Sequence, residues 1–146
     1  MRDYVRLKIS NIIKTLSLKA MERKTKIVAT LGPATHTEEI LGKMIPYIDI
    51  VRLNFSWGTH EDMAALIKMV RNVSNEKGKT ISIIQDLSGP RKQEVEGHHF
   101  KDGAEEITTE KDLTDLAFGI SQNVDYVAMS YIGNADDIKN LQGPMD

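Results

Sequence analysis

The chain contains no cysteine. That excludes disulfides, thiolate metal sites and cysteine nucleophiles, and it fits a reducing compartment, so a cytoplasmic location is expected. There is no excess of basic residues, since the net charge is -2. A dedicated nucleic-acid binder usually shows a basic stripe, so no nucleic-acid partner is expected. No apolar run reaches about 18 residues, so no transmembrane helix and no membrane partner are expected. The motifs G-x-x-x-x-G-K-[ST], G-x-G-x-x-G and H-E-x-x-H are also missing, which leaves those phosphate and zinc routes without support.

What remains is a soluble globular composition. The 146 residues are 40% hydrophobic and 27% charged, enough for one domain with a core that buries roughly 68% of the unfolded surface. The charge is uneven. Residues 1–20 carry Arg2, Arg6, Lys8, Lys14 and Lys19 against Asp3, a balance of +4 that leaves -6 for the rest. Ile9, Ile12, Ile13 and Leu16 fall at helical spacing in this stretch. A targeting peptide, a membrane-surface helix, an N-terminal helix packed on the domain and an early start codon, with Met21 the alternative, all fit it. Residues 1–22 are expected to form a basic extension ahead of a domain at 23–146.

From Lys24 onward two periods alternate. Lys26–Thr30, Asp49–Asn54, Thr80–Asp86 and Asp125–Ser130 read as short buried strands. Between them lie amphipathic helices. One holds Ile40, Leu41, Met44 and Ile45, with Thr35 and Glu38 at capping-box spacing. The next holds Met63, Leu66, Ile67, Val70 and Val73, is capped by Thr59 and Asp62, and ends at Lys77–Gly78. A third shows Leu113, Leu116, Ala117 and Ile120. Asn134 caps a last one with Ile138 and Leu141. Residues 87–109 read as an irregular polar loop. This β-α-β-α-β-loop-α-β-α order predicts an α/β fold of parallel strands with right-handed crossovers. A doubly wound sheet and part of a (β/α)₈ barrel both fit; periodicity does not separate them.

Chemistry in parallel α/β folds gathers beyond the C-terminal ends of the strands. Those ends carry Thr30, then Arg52, Asn54 and Ser56, then Asp86, then Ser130. Period two places Arg52 and Asn54 on one strand face, with Ser56 just beyond. The oxygens of Asn54, Ser56 and Asp86 are hard donors suited to a hard cation, and one carboxylate among neutral oxygens suits a monovalent one. Arg52 offers a planar fork for a phosphate or carboxylate. The same residues also fit plain capping of turns and helices. His98 and His99 lack a partner set for a metal. His36 and His60 stand at helix starts and read as surface residues. Trp57 reads either as packing or as a ring platform. Asp112 and Asp115 suit the positive end of a helix.

Four collinear runs carry a resemblance. T-K-I-V-A-T-L-G-P-A-T at 25–35, V-R-L-N-F-S-W-G-T-H-E at 51–61, I-I-Q-D-L-S-G-P-R at 83–91 and T-E-K-D-L-T-D-L-A-F-G-I-S-Q-N-V-D-Y-V-A-M-S-Y at 109–131 resemble, in order, motifs of the pyruvate kinase family. The resemblance implies the N-terminal half of a (β/α)₈ barrel and phosphoryl transfer from phosphoenolpyruvate to ADP, giving pyruvate and ATP. It implies that Asn54, Ser56 and Asp86 ligate a potassium ion together with the backbone carbonyl of Leu87, and that Arg52 meets the transferring phosphoryl group. Magnesium is the family's second cation.

The departures from that pattern bear on activity. Trp57 stands where the family has histidine near the nucleotide. Arg91 and Lys92 replace the usual pair after Gly89–Pro90, and Gln93 and Glu94 follow where an arginine is expected. Residues 87–109 are too few for the family's lid domain. The resemblance places the catalytic lysine and the magnesium-ligating acids on strands later than these, so no catalytic residue is assigned here and the polypeptide alone is expected to turn over no phosphoenolpyruvate. The alternatives are a non-catalytic homologue that binds a cation or phosphate, and a subunit completed by self-association or by a complementing chain at open sheet edges.

Overall fold

The computed structural model describes residues 24–94, 97–100 and 107–143; the basic extension at 1–22 lies outside them. Its elements are β1 (Val28–Thr30), α1 (Glu38–Met44) running into a 3₁₀ turn (Ile45–Tyr47), β2 (Ile50–Asn54), α2 (His60–Glu76), β3 (Ser82–Asp86), β4 (Arg91–Glu94), β5 (Gly97–Phe100), α3 (Glu110–Ser121), β6 (Tyr126–Ala128) and α4 (Ala135–Gln142). β1, β2, β3 and β6 form one parallel sheet in that order.

This order decides between the two architectures. Strands added steadily in one direction by right-handed crossovers place every helix on the same face. The contacts agree. Val51, Leu53 and Ile83 point from the sheet into one core with Leu41 and Ile45 of the first helical unit and Met63, Ile67, Val70 and Val73 of α2. Leu87 joins Leu116 of α3 and Leu141 of α4 in a second cluster. The alternate residues form the opposite face, and their register sets out its rows. Thr30, Arg52, Ile84 and Tyr126 lie in one row, and Asn54, Asp86 and Ala128 in the next. The chain is therefore a singly wound α/β sheet, the first half of a (β/α) barrel, and this second face is the barrel's inner wall.

Three readings of the sequence are corrected. Thr35 does not cap α1. Its hydroxyl closes the preceding turn, accepting from Gly32 N at 2.9 Å and donating to Gly32 O at 3.1 Å. Thr37 caps instead, accepting from Ile40 N. Both threonines have cap chemistry, and the Gly32–Thr35 turn engages the first. The stretch at 87–109 is not wholly irregular, because β4 and β5 pair as an antiparallel hairpin, Arg91 opposite Phe100. It lacks the alternation of apolar residues by which a strand is read from sequence.

The third correction concerns α3. Its buried face is Asp112, Asp115, Leu116 and Gly119, while Leu113 and Ile120 are 43% and 46% exposed. The helix is rotated away from its most apolar stripe, so that two carboxylates go inside.

The cap of α2 is as expected from its sequence. Thr59 Oγ1 accepts from Asp62 N, and Asp62 Oδ2 accepts from Thr59 N at 2.9 Å. The Thr59 backbone amide, then its hydroxyl, holds the Asp62 carboxyl below its usual 3.8. A depressed carboxylate stabilises the fold above its unfolded pKa, and that contribution disappears as pH falls through the folded value. Asp62 is therefore expected to titrate by NMR with a midpoint under 3.8, and Thr59→Ala to move that midpoint upward. An unmoved midpoint would show that the Thr59 hydroxyl adds nothing to the hold of the backbone amide.

Candidate functional site

The four strand ends bring the expected polar residues to one edge. The Arg52 guanidinium bridges two neighbouring strands. Its Nη1 donates to Thr30 Oγ1 at 2.8 Å, and its Nη2 pairs with Asp86 Oδ2. The Asp86 side chain is only 9% exposed, so its charge needs this partner. Two residues beyond Arg52 on the same face, Asn54 Oδ1 accepts the Ser56 amide at 3.0 Å and shapes the turn that leaves β2. Phe55 N donates to Asp86 O at 3.0 Å, which ties this turn to the end of β3.

That turn leaves Ser56 Oγ buried with no hydrogen-bond partner. Buried hydroxyls are normally satisfied, so an orphan in a turn tied to the end of Asp86's strand is a place for a cation to supply the missing contact. The Leu87 carbonyl stands at the same strand end and accepts Ser130 Oγ at 2.9 Å. A carbonyl oxygen has two lone pairs, so that bond leaves it a donor to spare for a metal. The donor set is all oxygen with one negative charge, and it fits a monovalent cation. Among the described residues no group of three or more His, Cys, Asp or Glu side chains gathers to hold a metal ion, so magnesium has no ligand set of that kind there.

Close to this edge is a cavity of about 680 Å³, lined by Pro33, Asn54, Trp57, Met63, Leu66 and Met69 among others. Its walls are mostly apolar, with the Asn54 amide at the rim, the usual make-up of a small-molecule pocket. Trp57 is 52% exposed, so its ring stands at the surface rather than in the core. His36 is exposed and lines the same cavity.

Sequence reasoning missed a second polar group at this end of the sheet. His60 is not a plain surface residue. Its Nε2 lies 2.7 Å from Asp115 Oδ1, and its ring stacks on Phe118 at 4.2 Å between centroids. The other carboxylate oxygen of Asp115 receives the Lys111 ammonium, which also donates to the Phe55 carbonyl at 2.7 Å and reaches Ser88 Oγ at 3.4 Å. Asp115 is 3% exposed. Asp112, 1% exposed, accepts from Gly89 N at 3.0 Å with one oxygen and caps α3 through Thr109 with the other. Gly89 has a φ of +67°, and a Cβ there would lie 2.9 Å from the Tyr131 ring, so only glycine suits this close turn. The missed signal was the i, i+3 spacing of two acids with Leu116 and Gly119 on one helical face. The side chains of His98, His99, Arg91, Lys92, Gln93 and Glu94 lie outside what the structure describes.

The family model for the pyruvate kinase barrel domain matches residues 22–110. The chain is 48% identical over 82 residues to the pyruvate kinase of Staphylococcus haemolyticus, covering 56% of this chain and 14% of that protein. It is 36% identical over 117 residues to the pyruvate kinase of Sporosarcina psychrophila, and 36% identical over 118 residues to that of Staphylococcus saprophyticus. Each of these two matches covers 80% of this chain and 20% of the relative. The chain thus spans a fifth or less of the length of these relatives.

Proposed function

The chain belongs to the pyruvate kinase family, and from that premise we propose that it forms the cation- and phosphoryl-binding edge of a site that transfers a phosphoryl group from phosphoenolpyruvate to ADP, giving pyruvate and ATP. In this reading Asn54, Ser56, Asp86 and the Leu87 carbonyl hold potassium, and Arg52 receives the phosphoryl oxygens. Phosphoryl transfer asks the protein chiefly to position the group and to neutralise charge on its oxygens. A potassium ion supplies fixed positive charge for that purpose when bound. Arg52 supplies a second positive charge, aimed by Thr30 and Asp86. The observation that carries the reading is the orphaned, buried Ser56 hydroxyl, in the turn that the Phe55 amide ties to the end of the strand carrying Asp86.

The test is thermal unfolding of the 146-residue chain in potassium chloride against tetramethylammonium chloride at equal ionic strength, with and without phosphoenolpyruvate. Potassium-specific stabilisation that increases with phosphoenolpyruvate is expected. Identical melting in the two salts would overturn the cation assignment.

The apolar cavity beside Asn54 is assigned to the nucleoside of ADP, with Trp57 as its platform. An indole cannot accept a hydrogen bond, but it stacks on a purine ring, an interaction worth about 1–3 kcal/mol by alanine substitution. The chain has a single tryptophan, so ADP is expected to quench the indole fluorescence, and the change reports on Trp57 alone. Trp57→Phe is expected to keep ADP binding and Trp57→Ala to weaken it by roughly tenfold. Equal ADP affinity in the alanine variant would remove the ring from the site.

A second reading is favoured by the sheet edges. Among the described residues β1 and β6 each pair on one side only, and Ile27, Val28 and Tyr126 are 42%, 47% and 56% exposed. Open edges of this kind invite pairing, which fits a chain completed by a second copy or by a complementing polypeptide. No helix among the described residues is long and apolar enough to cross a membrane, and the proposed setting is cytoplasmic.

A further inference from the structure

We propose that Asp115 is a positioning residue for the cation edge and acts through Lys111. This rests on the assignment of Asn54, Ser56, Asp86 and Leu87 as the cation's ligands. α3 turns two carboxylates inward and leaves Leu113 and Ile120 substantially exposed. Burying a carboxylate is unfavourable unless it is paired and hydrogen-bonded. Even then a buried ion pair is commonly no better for stability than apolar packing. Apolar burial among the described residues does not account for this rotation of α3.

The two buried acids have different partners. Asp112 accepts from backbone amides and from the Thr109 hydroxyl, a cap and a loop anchor. Asp115 accepts from two side chains on different helices, His60 at the start of α2 and Lys111 one turn earlier on α3. The Gln85 amide on β3 donates to its backbone carbonyl at 2.5 Å, so the turn of α3 that carries it is held against the sheet. Asp115 thereby joins α2, α3 and β3 at one point beneath the strand ends.

Lys111 carries that placement to the ligands. Its ammonium donates to the carbonyl of Phe55, the residue between Asn54 and Ser56. It also reaches the hydroxyl of Ser88, the residue after Leu87. A single ammonium thus touches the middle of one ligand turn and the flank of the other. The Lys111 side chain is 54% exposed, so solvent screens its pairing and the pair adds little stability. A flexible lysine stem does not hold one geometry by itself. The buried carboxylate of Asp115 selects the geometry in which both ligand turns are held. His60, stacked on Phe118, keeps the other oxygen of that carboxylate in place. Partners that orient metal ligands in this way typically govern about 10–100-fold in affinity.

The experiment uses the 146-residue chain and reads the half-saturating potassium concentration from the thermal shift, with tetramethylammonium as the control salt. Asp115→Asn is expected to raise the half-saturating concentration about tenfold or more. Lys111→Met is expected to do the same with Asp115 intact, and Lys111→Arg to restore most of the response. In the absence of potassium, Lys111→Met is also expected to shift the backbone amide resonances of Phe55, Ser56 and Ser88. An unaltered potassium response in Asp115→Asn and Lys111→Met, with the response lost in Asp86→Ala, would refute the positioning role and leave the cation reading standing. A wild-type chain with no potassium response would refute the cation reading, and the positioning role with it. If Asp115→Asn does not fold, the comparison of Lys111→Met with Lys111→Arg decides: equal potassium responses refute the proposal.

Discussion

Replacing Asp86 by alanine is expected to abolish potassium-specific stabilisation of the chain. Asp86 is the only carboxylate in the ligand set, and neutral oxygens alone offer a monovalent cation no formal counter-charge. The same carboxylate is the partner of Arg52, so the substitution also frees the guanidinium. Hydrogen bonds to charged groups contribute about 1.5–3 kcal/mol. The Arg52 side chain is 35% exposed and water compensates part of that, so a stability loss near the lower end is expected. Asp86→Asn separates the two effects. It keeps the shape and an oxygen donor and removes the charge, so it is expected to fold nearly as well and to respond weakly to potassium. Calorimetry that shows equal potassium shifts in wild type and Asp86→Ala would place the cation elsewhere.

The second large effect is expected at Gly119, where α3 meets β3. A Cβ at this position would lie 2.0 Å from Gln85 Oε1 and 2.6 Å from Gln85 Cδ. Gln85 is fully buried, and its amide nitrogen is bound to the Asp115 carbonyl, so yielding to the new methyl breaks that buried bond. On an open helix, glycine to alanine is stabilising by roughly 0.5–1 kcal/mol. Here the sign is expected to reverse, with a loss of about 3 kcal/mol from overpacking and the displaced amide. That corresponds to a melting temperature lower by about 10 °C or more. Gln85→Ala in the same chain is expected to recover most of the loss, and a double-mutant cycle would then show strong coupling. Additive effects would mean that the two residues do not compete for the same space.

The inner face of β2 illustrates what a sequence can show about a site. Arg52 and Asn54 alternate with Val51 and Leu53, so period two alone puts the polar pair on one face and the apolar pair on the other. The cap of α2 was legible for a similar reason, since Thr59 and Asp62 are three residues apart and their reciprocal bonds are local. Thr35 and Thr37 show where local reasoning fails. Both have a hydroxyl in range of α1, and the Gly32–Thr35 turn decides which one remains available. The face of α3 was only half legible: the i, i+3 spacing of its acids outlines the buried face, and a more apolar stripe competes with it. Its apolar stripe points to Leu113 and Ile120, whereas the partners of Asp112 and Asp115 lie as far away as Gly89 and His60. No spacing within the helix reveals such partners.

By itself the sequence determined the alternation of strands and helices, the family, and which polar side chains reach the strand ends. Each of these depends on periods of two and 3.6 residues or on short runs of adjacent residues, and such signals are written along the chain. Tertiary structure decided the steady order of the parallel strands, which makes one face a barrel wall. It also decided the burial that orphans Ser56 and the meeting of His60, Lys111 and Asp115 beside the ligand turns. His60 and Asp115 are 55 residues apart, and only the packing of α2 and α3 on a common sheet brings a carboxylate, an imidazole and an ammonium close enough to order one another.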